Sequence, residues 1–247
     1  ESWGVISAFN YPGNASAYDA TVLRGLSVVI ASLVTLSSEV KETEKAFIYT
    51  IEALARACEA AEEDTGNHIK RVNRYAGALA ANMGLSPPLV ETISYSAQMH
   101  DVGKIKIPST ILLKKGLLDQ NELELVRLHP AFGERILGDA QRLQVAREIA
   151  ISHHENWDGS GYPSGLKGDS IPLPGRIVKL ADVYDALRSR RSYKRAYTHA
   201  ETMRIFHDGD ERIRPRNHFD PAVLETFFRI EHIFAAIYES QHDPLQT

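Results

Sequence analysis

Apolar residues recur three and four positions apart along most of this chain, and that spacing commits it to helices. Between residues 18 and 60, Leu26, Val29, Ile30, Leu33, Leu36 and Val40 keep the pattern, followed by Phe47, Ile51 and Leu54. One long helix, or two in tandem, is predicted there. Further helices are predicted over 66–83, 88–101, 119–138, 141–154, 174–189, 198–208 and 220–240. Several of their starts carry capping signals: Ser86 before Pro87 and Pro88, Asp119 with Glu122 three residues on, and Asp220 before Pro221. Strand character is confined to "WGVISAFN" at 3–10, which alternates and then turns at "YPGNAS". The expected fold class is all-α, a helical bundle with a long N-terminal connecting helix and a short N-terminal strand segment.

Composition narrows the function classes. Apolar residues make up 43% and charged residues 24%, as in an ordinary globular protein. A net charge of −4 gives no global basic field, so neither DNA nor RNA is expected as a partner. The single cysteine, Cys58, excludes an intrachain disulfide and a thiolate metal cage. The most apolar run, "LSVVIASLVTL" at 26–36, falls short of the roughly 20 residues that span a bilayer, and nothing reads as a secretory signal. We therefore expect no membrane segment and a cytoplasmic location. A start at Glu1 rather than Met suggests a piece of a longer protein.

The chemistry-bearing residues are histidines and aspartates at helix ends. His68 lies in "DTGNHIKRV", His100 and Asp101 in "MHDVGKIKIP", and His129 in "VRLHPAFGERIL". His153 and His154 follow in "ISHHENWDG", and Asp182 in "LADVYDAL". Any one of these alone is more simply a hydrogen-bonded core or surface residue. Together, on several helices of one bundle, they form the kind of set that builds a metal site. Imidazole with carboxylate suits Fe, Mn, Co, Ni or Zn rather than Ca or Mg. Adjacent residues such as His100 and Asp101 diverge by about 100° on a regular helix, so a pair at a helix end suits two metals with the carboxylate between them.

The ordered set "TGNHIKRV", "HDVGKIKIP", "HP", "HHENWDGSGYP", "ADVYDAL", "RRSYK" and "HFDP" resembles the HD-GYP branch of the HD-domain metal-dependent phosphohydrolases, over about 45–235. The resemblance implies hydrolysis of cyclic di-GMP to pGpG and GMP by an all-α domain holding two or three metals, usually iron or manganese. It implies His68, His100, Asp101, His129, His153, His154 and Asp182 as ligands, with Asp101 bridging. Members with three metals carry Glu in "ETGxH" where this chain has Asp64, a carboxylate that reaches about 1.5 Å less far. Two metals are therefore expected, with Asp64 as the candidate ligand of a third.

Two metals about 3.5–4 Å apart make a bridging hydroxide at neutral pH and orient it for in-line attack on phosphorus. Lys104 in "HDVGK" is placed to contact a non-bridging phosphate oxygen, Asp101 and Lys104 being the expected catalytic pair. The loop "WDGSGYPSG" should fold over the edge of the site, with Gly159 and Gly161 allowing positive-φ turns and Tyr162 packing against a base. In the basic cluster Arg188, Arg190, Arg191, Lys194 and Arg195, the family's "RxYK" implies that Arg191 and Lys194 hold the second phosphate or a guanine. Glu155 and Asp185 are expected to orient ligands from behind or to cap helices.

The expected layout is 1–44 as the end of an upstream domain plus linker helix, 45–240 as the catalytic domain and 241–247 as a tail. "WGVISAFN" and the helix after it resemble the end of a GAF sensor domain. The apolar stripe of that helix could pair with a second chain, giving a homodimer. Two other functions fit the same residues: hydrolysis of a related dinucleotide such as cyclic GMP-AMP or pGpG, and a catalytically silent dinucleotide-binding signalling domain.

Overall fold

The computed structural model describes residues 16–59, 67–190 and 195–240. They form helices α1 (Ala17–Glu59), α2 (Asn67–Asn82), α3 (Pro87–Ala97), α4 (Ser109–Leu112), α5 (Gln120–Val126) and α6 (His129–Leu137). After these come α7 (Gln144–Ser152), α8 (Leu173–Arg188), α9 (His199–Asp208), α10 (Pro215–His218) and α11 (Pro221–Ser240). A 3₁₀ turn, Val102–Lys106, lies between α3 and α4. No strand occurs among the described residues, and the class is all-α. The strand expected at 3–10 lies outside them.

The chain divides into two compact units, Glu1–Thr50 and Ile51–Thr247. In the first, the α1 side chains Val22, Leu26, Val29, Leu33, Leu36 and Val40 are all exposed. An 18-residue stretch of this helix is long and apolar enough to cross a membrane by length and composition alone. Ser27 and Thr35 donate their hydroxyls to the carbonyls of Leu23 and Ala31 one turn back, at 2.7 and 3.0 Å, so neither interrupts the apolar surface.

The second unit is built on α2, α8 and α11, with α3 and α7 against them. Its core is aromatic: Tyr75 stacks on Phe234 with ring centroids 4.5 Å apart, and Tyr184 meets both edge-on at 5.3 and 5.0 Å. Phe206 and Phe227 close the same cluster. Burying rings of this size contributes about 2–3 kcal/mol each relative to exposure.

Two helix boundaries and one cap depart from expectation. The helix expected over 119–138 is two, α5 and α6, because Pro130 has no N–H to continue the ladder and instead sits in the first turn of α6. The helix expected to 101 ends at Ala97, and the chain tightens there into the 3₁₀ turn. Ser86 stands at the N-cap of α3 but makes no side-chain cap hydrogen bond, Pro88 at the second position having removed one of the donors. Asp119 and Glu122 do form a reciprocal capping box on α5, and Asp220 accepts from the Ala222 N–H at 2.7 Å. A second capping box, Thr198 with Glu201, starts α9.

Candidate metal centre

The centre begins where α3 unwinds. Asp101 adopts φ −101°, ψ 7°, outside the helical region, which turns its carboxylate away from the helix face. Gly103, two residues on, packs its backbone against α6. A Cβ there would overlap the carbonyl oxygen of His129 and the amide of Gly133. Only glycine permits that approach, and it brings His129 beside Asp101.

Two groups of side chains result. His68 on α2, His100 at the end of α3 and Asp182 on α8 bring ligand atoms within 4.8 Å of one another. Asp101, His129 of α6, and His153 and His154 just after α7 form the other group on the same criterion. Asp101 stands between the two. Its Oδ1 lies 3.1 Å from His129 Nε2 and 3.6 Å from His153 Nε2, while its Oδ2 lies 3.3 Å from His100 Nε2. His68 Nε2 and His100 Nε2 are 3.7 and 3.9 Å from Asp182 Oδ1.

The far sides of the rings explain their orientation. Nδ1 of His100 lies 2.9 Å from the carbonyl of Ala97, and Nδ1 of His129 lies 2.8 Å from that of Val126. Nδ1 of His153 lies 3.1 Å from the carbonyls of both Ile149 and Ala150. Nδ1 of His68 meets Asp185 Oδ2 at 2.8 Å. A neutral imidazole that donates from Nδ1 carries its lone pair on Nε2. Four such lone pairs converge here, and those of His129 and His153 face each other at 3.3 Å. His100 Nε2 and Asp101 Oδ1 are buried without a hydrogen-bond partner among the described residues. Orphaned acceptors of this kind are costly unless a cation completes them, and imidazole with carboxylate suits a transition metal. The residues fit a metal centre.

Electrostatics point the same way. Burial pushes His153 and His154 down, favouring the neutral, ligating form. Burial would raise the Asp101 carboxyl, but Lys104 and His100 outweigh it and hold it well below the carboxylate range. Burial likewise works against the proton on His100, yet Asp101 and Asp182 outweigh it and raise that group.

Around the centre, Lys104 pairs with Asp101 Oδ2 at 2.8 Å. Tyr162 stacks on His154 with centroids 4.7 Å apart and lies under the guanidinium of Arg127. Glu155 is buried and accepts from the Ser164 and Leu166 N–H groups at 2.8 and 3.1 Å. It ties down the loop that carries Tyr162. Gly159 has φ +86° as expected, but Gly161 does not take a positive φ. A Cβ on Gly161 would instead overlap the backbone of Glu155 and Asn156. The loop is also pinned through Trp157 N–H to His218 and Asp158 N–H to Asn217, at 3.1 and 2.8 Å.

Asp64, Arg191 and Lys194 lie outside the described residues. Two members of the expected basic cluster are engaged elsewhere: Arg188 is buried against Tyr238 and pairs with Glu239 at 2.7 Å, and Arg195 pairs with Glu201. Sequence reasoning passed over Arg71, which grips Asp185, and Lys179, a buried ammonium pushed down to about 8 by desolvation. Their spacing on helix faces was the available signal, Arg71 three residues after His68 and Lys179 three before Asp182.

A family model described as HD domain matches residues 51–223. A protein of Vibrio cholerae named cyclic di-GMP phosphodiesterase is 42% identical over 85% of this chain and 44% of its own length. Another from the same organism, named 3'3'-cGAMP-specific phosphodiesterase 2, is 40% identical over 85% of this chain and 39% of its own. The chain thus spans less than half the length of these two relatives. Among solved structures, a cyclic GMP-AMP specific phosphodiesterase of V. cholerae superposes with a TM-score of 0.56 at 17% identity, covering 80% of this chain and 51% of that one, a likeness of fold.

Proposed function

The chain belongs to the HD domain family, and from that membership we propose that it is a metal-dependent phosphodiesterase hydrolysing cyclic di-GMP to pGpG and GMP. The observation that carries this reading is the Asp101 carboxylate, one oxygen toward His129 and His153 and the other toward His100. His68, His100 and Asp182 would hold one divalent ion and His129, His153 and His154 the other, with Asp101 shared. Iron or manganese suits these donors. Two ions rather than three are proposed, because Asp64 is a short carboxylate. When bound, such a pair lowers the pKa of water toward neutrality and takes up charge on the phosphoryl oxygens.

The chain's own groups bind and orient. Lys104, held beside Asp101, donates to a non-bridging phosphate oxygen and keeps its ammonium at the reacting phosphorus. Tyr162, braced on His154, walls the site and packs against a base. Arg191 and Lys194 hold the second phosphate or a guanine, a task suited to the planar guanidinium fork. On α1, Val22, Leu26, Val29, Leu33, Leu36 and Val40 follow one another at alternating steps of four and three, the spacing of a coiled-coil seam. We propose that they pair with a second copy.

A second substrate is favoured by one observation: a relative named for cyclic GMP-AMP is nearly as similar as the one named for cyclic di-GMP. A silent binding domain is disfavoured, since every ligand position of the motif set is filled. The test is turnover of both cyclic dinucleotides by protein purified without oxygen, with metal content measured on the same sample. Hydrolysis of cyclic di-GMP that tracks about two bound ions per chain is expected. Preference for cyclic GMP-AMP selects the second reading, and a loaded protein that cleaves neither overturns both.

A further inference from the structure

Helices α2 and α8 each present two polar residues one turn apart toward the centre. On α2 these are His68 and Arg71, and on α8 Asp182 and Asp185. The outer two meet: Arg71 Nε donates to Asp185 Oδ1 at 2.6 Å and its Nη2 to Oδ2 at 2.8 Å. The same Oδ2 lies 2.8 Å from His68 Nδ1, and the same Nη2 reaches Ser189 Oγ at 3.2 Å. Arg71 and Asp185 are 5% and 0% exposed, and the guanidinium lies over the Tyr238 ring at 5.3 Å.

A buried ion pair is weak evidence for stability, since apolar residues of equal volume often serve as well. A two-point grip does supply orientation. With both oxygens held, the Asp185 carboxylate cannot rotate, and its Oδ2 fixes the ring of His68. We propose that Arg71 is a positioning residue for the centre: its fork sets the plane of Asp185, which keeps the proton of His68 on Nδ1 and aims Nε2 at His100 and Asp182. This rests on the reading of His68 as a metal ligand and is independent of which dinucleotide is cleaved.

The discriminating change is Arg71→Lys, which keeps the positive charge and removes the fork. Mn²⁺ titration followed by electron paramagnetic resonance reads the two positions without any turnover assay. If the charge alone matters, Arg71→Lys binds Mn²⁺ like the parent chain. If the fork matters, one of two ions binds about 10–100-fold more weakly, the usual cost of losing a partner behind a ligand, and the signal of a coupled pair gives way to that of a single ion. Circular dichroism and thermal melting of the metal-free variant verify that the fold is retained. His68→Ala should lose the same ion. A folded Arg71→Lys protein with both ions at parent affinity overturns the proposal. A parent protein that binds two ions but hydrolyses no dinucleotide overturns the functional reading and leaves the role of Arg71 standing.

Discussion

At the scale of single residues, Asp101 has the most depending on it. Its two oxygens reach into both groups of candidate ligands. Asp101→Ala is expected to abolish turnover and metal loading together, as measured by activity and metal analysis of one preparation. An active, loaded variant would remove the basis of the assignment. Asp185 makes a different prediction. Burial opposes its charge, but Arg71 and His68 hold its pKa down to about 2, from an ordinary 3.8. A depressed carboxyl stabilises the fold above the unfolded pKa and loses that contribution as pH falls through the folded value. The shift is worth about 2 kcal/mol. In denaturant melts, the advantage of the parent chain over Asp185→Asn should therefore be full at pH 5 and shrink toward pH 2; a gap that grows on acidification would contradict the pairing. The candidate ligands could be picked out of the sequence because each sits in its own short motif. What holds them was not, since Arg71 and Asp185 are 114 positions apart and meet only when α2 packs on α8.

Among the elements, the loop after α7 shows how a segment without regular structure is kept in place. Two N–H groups on Glu155 and two backbone bonds to 217–218 fix it, and it carries Tyr162 onto His154. Hydrogen bonds to a charged acceptor contribute about 1.5–3 kcal/mol. Glu155→Ala is expected to speed amide exchange across 156–166 and raise KM several-fold with metal content unchanged. Exchange at the parent rate would show that the backbone bonds suffice. Helical periodicity located α2, α7, α8, α9 and α11 within a few residues. It ran α5 and α6 together because an amphipathic pattern continues across Pro130, where the break depends on a missing N–H rather than on hydropathy. Gly161 was misread for a related reason: its need for space is set by Glu155 and Asn156, not by its own φ.

For the whole molecule, the aromatic core and the centre share α2 and α8, so binding at one supports the other. Removing the ions would leave facing lone pairs and orphaned acceptors in the interior. Metal at a thousandfold over its Kd stabilises by about 4 kcal/mol, or about 10 °C in a domain of this size. Chelation should lower Tm by that order in calorimetry, and an unchanged Tm would mean the groups find other partners. The all-α class and the order of the elements were legible from spacing alone, whereas the breadth of the apolar surface on α1 was hidden by hydroxyls that turn back onto the helix. The way the rings are aimed also bears on how such a centre can decay over generations. His100, His129 and His153 are aimed by main-chain carbonyls, which no codon change can delete. Of these four rings, His68 is the one aimed by a side chain. A lineage drifting away from this chemistry could therefore lose the His68 side by one substitution at position 185 while the other three rings kept their bearing, leaving a half-centre as a durable remnant.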